Sequence, residues 1–580
     1  MRFAMLASAA LAAIPAQWGP DQTKPILDQT LTLRLAPDTS RLGPGEKVAL
    51  QRMLEVGQIM QDLYEHSRHP QALAARRRLD AQAKAGAPGA GDLRTLYRLF
   101  QGPIATTLEN KREPFLPVDP VVPGKNVYPW GVTRQELEAW LAAHPDRRAE
   151  LLAGRTVVRR DTANNRAADL VALRRYPVLD ALHPGLGRRL LGAAAAGGFY
   201  AVPYAVAYAD QMVGAHGLLN EAADAVGGED AELAAYLRNR ARDLLSNDYE
   251  SGDASWVTGR FKSLNAQIGA YETYDDELFG AKAFHGFSAM LRDDAATAAL
   301  QGAIRGLQEL EQSLPGGPHR KVREDIPVGV YDVVADFGQA RGTNTATILP
   351  NEALHVRRYG RIIMIRRNII QNPELFVLSD AAWKAAVAPA HAEELRADGN
   401  FYRTLWHEIG HYLGPDSDQQ GRDLDSALQD AADALEEMKA DLVSLFVAPA
   451  LRERGYYDDA RLRSVYASGI RRVLLNVKPR RDQPYQTMQL MQVNHFLEKG
   501  LLRYDPAAQI LSIDYARYPD AVRSLLEEVL AVQRAGDHAR AEAFIQRLTT
   551  WDERHQALAT RMRAQEKYRF RQVRYGALGE

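Results

Sequence analysis

Through most of the chain, apolar residues recur every three to four positions, the period of a helix that buries one stripe. Residues 43–67 show it first, with Val48, Leu50, Met53, Leu54, Val56, Ile59, Met60 and Leu63 at helical spacing. Residues 71–85 are charged and helical in character, and the Gly/Pro/Ala run at 86–91 breaks them. The stretch 113–132 is proline-rich and loop-like, and Thr133-Arg134-Gln135-Glu136 is a capping box opening a helix through Leu141. A short strand is expected at 156–160, helices at 201–245, and an amphipathic helix at 293–313. At 326–370 the period changes: VGVYDVVADF, TATIL and RIIMIRRNII read as strands. Beyond them 404–447 holds two helices, the first stopped by Gly414-Pro415; 459–477, 488–500 and 519–580 are helical, and 17–39 is extended and polar. The pattern predicts an α+β chain, predominantly helical, with one strand-rich block before its C-terminal helices.

At 580 residues the chain is long enough to bury a large core in two lobes. Apolar residues at 46% and charged residues at 25% are ordinary for a soluble enzyme. A net charge of −1 gives no global attraction to nucleic acid or to an anionic membrane. The basic runs Arg76–Arg78 and Arg159-Arg160 read as solvated faces. There is no cysteine, which excludes disulfides, thiolate metal sites and cysteine nucleophiles; any metal must be held by histidine and carboxylate. At the N-terminus, Arg2 precedes a 3–14 apolar run too short to cross a bilayer. It fits a secretory leader over residues 1–16, hence a periplasmic or secreted protein, the alternative being an ordinary N-terminal helix of a cytoplasmic one. No later stretch reads as a membrane span.

The chemistry concentrates in 404–447, which contains His407-Glu408-Ile409-Gly410-His411, an H-E-x-x-H. On a helix, residues four apart share a face, so His407 and His411 can address one metal ion. Glu408 sets a carboxylate beside the first ligand, where the base of a metal-assisted hydrolysis belongs. Catalytic zinc usually takes three protein ligands. A metzincin would continue to a third histidine at 417, which is serine here, so that branch is closed. The next helix, read as one packed element from Leu424 to Leu445, offers Glu436 and Glu437, either of which can be the third ligand. Asp441 lies on the face of Glu437 and can hold a ligand histidine by its second nitrogen.

HEIGH followed by EEMKAD resembles the zinc core of the dipeptidyl peptidase III family. The family form is usually H-E-x-x-G-H; the shorter form is similar to a bacterial and plant subgroup, some plant members of which are fused to a Nudix domain. NVYPWGVTRQELEAWL, TVVRR, FYAVPYAVAY and YETYDDELFG resemble the same subgroup, and the likeness runs from about Phe115 to Arg547. The resemblance implies one zinc ion held by His407, His411 and Glu437, with Glu408 as base; Glu436 and Asp441 are then read as standing behind the ligands. It also implies that Glu272 binds the amino terminus of a short peptide and that Tyr274 donates to the oxyanion. Read without it, Glu272, Tyr274, Asp275, Asp276 and Glu277 are an acidic cluster among aromatics. Ile348-Leu349-Pro350-Asn351 resembles the family's N-x-P-N, with Asn351 on the substrate backbone and Ile348 in place of the first asparagine. The family's transition-state histidine falls at Tyr485, with His495 nearby. The implied fold has two lobes and a wide cleft: a helical zinc lobe (293–325 and 386–580) and a mixed lobe containing a small β-barrel (17–292 and 326–385). The implied activity is release of dipeptides from free N-termini. Alternatives are an aminopeptidase, an oligopeptidase or a non-peptide amide hydrolase with the same zinc chemistry, or a weakly catalytic zinc-containing peptide-binding protein.

Overall fold

A computed structural model describes residues 15–322 and 326–580. The expected leader lies outside the described residues, apart from Pro15 and Ala16. The elements that frame the cleft are β1 (Thr30–Leu35), α1 (Pro44–Arg68), α2 (Ala209–Val226), α3 (Ala231–Ser246), α4 (Glu250–Thr258), β2 (Leu264–Ala270), β3 (His285–Arg292), β4 (Val328–Gly338), β5 (Ala346–Leu349), α5 (Ala353–Tyr359) and β6 (Ile362–Arg366). The C-terminal part adds α6 (Ala397–Gly410), α7 (Ala432–Phe446), α8 (Asp459–Val473), α9 (Pro484–Glu498), α10 (Tyr518–Ala535) and β7 (Phe570–Tyr575).

Five strands form one mixed sheet in the order β2-β3-β4-β6-β5. The β4–β6 pair is parallel and the other pairs are antiparallel. The expected β-barrel is corrected here: the outer strands β2 and β5 do not pair with each other, so the sheet is open. Closure requires the last strand to hydrogen-bond the first, and β5, only four residues long, ends as a free edge.

The sheet is the wall between two hydrophobic cores. On β6, Ile362 and Met364 enter one core while Ile363 and Ile365 enter the other. A strand buried on both faces reads as an unbroken apolar run, which is why this segment is IIMI. On β4, Val328 and Val330 belong to the second core and Val333, Val334, Ala335 and Phe337 to the first. The first core is closed by α1, α2 and α3, with Met53, Val56 and Met60 of α1 fully buried. The second is closed by α6 to α10. Between β4 and β6, Arg366 Nη1 lies 3.1 Å from Asp336 Oδ2, both buried. Asp336 also accepts from Ser288 Oγ and, at 3.3 Å, from Tyr575 Oη of β7. Because β4 and β6 serve both cores, the division of the chain between lobes at 325/326 and 385/386 stays a proposal.

Two further expectations change. The single helix over 424–445 is broken: Leu424–Leu428 ends at Gln429, whose φ is +54°, and α7 begins at Ala432. The C-terminal tail, expected to be helical throughout, ends in β7, which pairs in parallel with β1 from the other end of the chain.

Candidate metal centre and cleft

The centre is built where α6 crosses α7. A Cβ on Gly410 would lie 2.7 Å from the carbonyl oxygen and 3.0 Å from the Cα of Ala440. The crossing needs a residue without a side chain at that position. Gly410 is the last residue of α6, and His411 keeps helical angles as its cap (φ −64°, ψ −22°). The rings of His407 and His411 stay on one face, their centroids 4.9 Å apart and their planes at 84°.

Across from them, Glu437 Oε2 lies 3.2 Å from His407 Nε2 and 4.0 Å from His411 Nε2. The ligand atoms offered by the three residues all fall within 4.8 Å of one another. Ligands on a tetrahedral ion at about 2.0–2.1 Å stand roughly 3.3 Å apart, close to this spacing. Glu437 Oε2 is buried and, among the described residues, has no hydrogen-bond donor. An unpartnered buried carboxylate oxygen facing two imidazole nitrogens is the donor set of a divalent zinc-like ion.

A second layer orients these groups. His407 Nδ1 is 2.7 Å from Asp441 Oδ1, and His411 Nδ1 is 2.9 Å from Glu436 Oε1. Each histidine turns Nδ1 to a carboxylate and leaves Nε2 toward Glu437. Asp441 accepts from Arg403 Nη1 at 2.8 Å, with Arg472 Nε 3.6 Å from its other oxygen. Glu436 is held by Lys439 Nζ at 2.7 Å and by Gln533 Nε2 at 3.2 Å. The remaining oxygen of Glu437, Oε1, accepts from Tyr485 Oη at 2.8 Å. Burial works to lower the pKa of His407, yet the Asp441 carboxylate outweighs it and raises it to about 9. Burial works to raise Glu436, and Lys439 and His411 overcome it, holding it at about 2.

These residues line a cleft of about 660 Å³ between the lobes. His407, Glu408, His411, Glu437 and Tyr485 form one wall, and Glu408 is half-buried. Glu272, Tyr274, Ile348 and Asn351 lie on the other. Glu272 follows β2, and Asn351 Nδ2 donates to its Oε2 at 3.4 Å. Burial raises the pKa of Glu272. Tyr274 is 83% exposed at the cleft mouth, its hydroxyl pKa raised first by the charge of Glu272.

The rest of the acidic cluster is structural. Asp276 accepts from the backbone N–H groups of Leu278, Phe279, Ala281 and Lys282 and from Tyr128 Oη. Asp275 accepts from Tyr64 Oη, and Glu277 pairs with Lys125. His495 is not in the cleft: its Nε2 is 2.9 Å from Ser524 Oγ, and burial lowers its pKa to about 4. Arg366, Gln339, Asn344 and Thr345 also line the cleft and were not foreseen. An arginine directly after the apolar run of β6, at the end of the strand, was the available signal, since a buried cation needs a partner or a ligand.

No family model matches the chain. Nudix hydrolase 3 of Arabidopsis thaliana is 27% identical over 437 residues, covering 74% of this chain and 54% of the relative. The chain thus spans about half the length of that curated relative. The structure of DPP III from Caldithrix abyssi superposes with a TM-score of 0.80 at 24% identity, covering 96% of this chain and 99% of that one. Dipeptidyl-peptidase III from Corallococcus sp. strain EGB gives a TM-score of 0.73 at 24% identity, covering 97% and 98%. Among the described residues, no helix is long and apolar enough to cross a membrane. The likeness first read in HEIGH and EEMKAD extends to the path of nearly the whole chain, which has the dipeptidyl peptidase III fold.

Proposed function

We propose that this protein is a zinc peptidase that releases dipeptides from the free amino termini of short peptides. The observation that carries the reading is Glu437 Oε2, buried without a donor and facing both imidazole Nε2 atoms, with Glu408 in the same cleft. The fold shared with solved dipeptidyl peptidase III structures supports peptides as the substrate class.

Bound by His407, His411 and Glu437, zinc supplies Lewis-acid activation of water and of the scissile carbonyl. Glu408 takes the proton of the attacking water and returns it to the leaving amine nitrogen. Tyr274 donates its hydroxyl to the oxygen that becomes negative in the tetrahedral intermediate. Tyr485 donates to Glu437 Oε1 and fixes the ligand carboxylate. Glu272 pairs with the substrate ammonium, and Asn351, bonded to Glu272, meets the adjoining backbone. The free edge of β5 offers main-chain hydrogen bonds to an extended peptide.

Metal analysis of the purified protein tests the ligand set. About one zinc per chain is expected, lost in Glu437→Ala together with turnover; full zinc in that variant would move the third ligand elsewhere, first to Glu436.

A second reading keeps the zinc and loosens the register. Ile348 lines the cleft where the resembling family has an asparagine, so one substrate hydrogen bond is missing. Single residues or internal fragments as products would make the protein an aminopeptidase or oligopeptidase. Tight peptide binding without products would make it a binding protein. Export to the periplasm or beyond is proposed from the leader alone; N-terminal sequencing of the mature protein tests it.

A further inference from the structure

A second chamber, of about 400 Å³, adjoins the cleft: Thr343 and Thr345 line both. Its charged lining is unequal. Arg396, Arg471, Arg472 and Arg571 face one lining carboxylate, Glu566. Arg396 is paired outside it with Asp398. Arg571 is held in β7 by the β1 ladder, and its exposed side chain has no ion pair or hydrogen bond among the described residues. The guanidinium of Arg472 lies 5.5 Å over the ring of Tyr485, and its Nε is 3.6 Å from Asp441 Oδ2, so Arg472 too is paired outside the chamber. Ser468 of α8 is 3% exposed, and its Oγ has no hydrogen-bond partner among the described residues. Buried donors are seldom left unpaired, and here the Ser468 hydroxyl lines a chamber that also holds the unpaired side chain of Arg571. Planar guanidinium groups with a hydroxyl are the donor set that suits a carboxylate.

The chamber lies at a defined place along the cleft. Thr345 immediately precedes β5 and Asn351 closely follows it. Six residues of extended chain span at most about 20 Å. A peptide laid along β5 with its amino end at Glu272 and Asn351 has its other end at Thr345, at the mouth of the chamber. We propose that the chamber binds the C-terminal carboxylate of the peptide in the cleft, so that both ends of a substrate of about six residues are read. This rests on the assignment of the amino end to Glu272 and Asn351.

The test is calorimetric binding to the metal-loaded full-length Glu408→Ala protein, which needs no turnover. The probes are four- to eight-residue peptides as free acids, as C-terminal amides and as N-acetylated forms of each. The free acid of about six residues should bind roughly tenfold tighter than its amide, the scale of one charge-assisted contact. Arg571→Gln and Ser468→Ala should each reduce that ratio while leaving amide binding unchanged. An amide ending in glutamate that recovers the advantage keeps the carboxylate site and assigns it to side chains as well. Equal binding of acid and amide at every length overturns the proposal, as does equal weakening of both forms by Arg571→Gln. Acetylation is the separate arm: if it has no effect while the acid still binds tighter than the amide, the amino-end assignment fails and the chamber stands.

Discussion

Adjacent on α7, Glu436 and Glu437 turn to different nitrogens: Glu436 to His411 Nδ1, Glu437 to the Nε2 atoms of both histidines. Neighbours on a helix differ in direction by about 100°, so spacing from His411 alone did not separate them. The i,i+4 pair His407 and His411 was legible because it depends on one helix only. The acidic run at 272–277 was not, because its partners Tyr64, Lys125 and Tyr128 lie far away in sequence. The carboxylate of that run without a cation or a distant structural partner is Glu272, bonded only to its cleft neighbours, and burial raises its pKa above the ordinary 4.5. A raised carboxyl loses its charge at higher pH than an exposed one, so it stops pairing with an ammonium earlier as pH falls. KM for a peptide with a free amino terminus should therefore rise on the acid side as pH approaches that raised value. In Glu272→Gln the KM should be higher at neutral pH and lack this rise; an unchanged acid limb in the variant would remove Glu272 from amine binding.

Elements meet where small residues let them. The α6–α7 crossing depends on Gly410, and the juxtaposition of His407, His411 and Glu437 depends on the crossing. In an isolated helix alanine is favoured over glycine by about 1 kcal/mol, so Gly410→Ala would stabilise α6 if nothing stood opposite. Against the Ala440 carbonyl at 2.7 Å, we predict instead a net loss of about 1–3 kcal/mol and weaker zinc retention, read by thermal denaturation and chelator competition. A Tm at or above wild type would show that α7 yields without cost. The continuous apolar run of β6 announced a strand buried on two faces. The strand β2 was hidden, because its buried amides Asn265 and Gln267 make LNAQIGA look polar; Asn265 accepts from Trp256 and donates to Tyr331. An open sheet and a barrel differ by one long-range pairing, which no local pattern reports.

For the whole molecule, one sheet is shared by two cores, and its central polar contact joins distant parts of the chain. Asp336 of β4 gathers Arg366 of β6, Ser288 of β3 and Tyr575 of β7. Arg366→Ala leaves that carboxylate buried without its cation. We predict a loss of about 3–5 kcal/mol in chemical denaturation, since breaking a buried pair strands a charge. Arg366→Ala together with Asp336→Ala should recover part of it, and a loss no larger than that of an exposed pair would mean water already reaches Asp336. In the function we propose, a metal centre on the helical lobe and an amine clamp on the mixed lobe act on one peptide across the cleft. Mass spectrometry of the products from unblocked and N-acetylated peptides tests both halves together, using wild type, wild type with chelator, and Glu408→Ala with its zinc retained. Dipeptides from free amino termini alone, made by the metal-loaded wild type and reduced about 10²–10⁴-fold in Glu408→Ala, are the predicted result. Dipeptides from acetylated peptides, or undiminished turnover in Glu408→Ala, would contradict it.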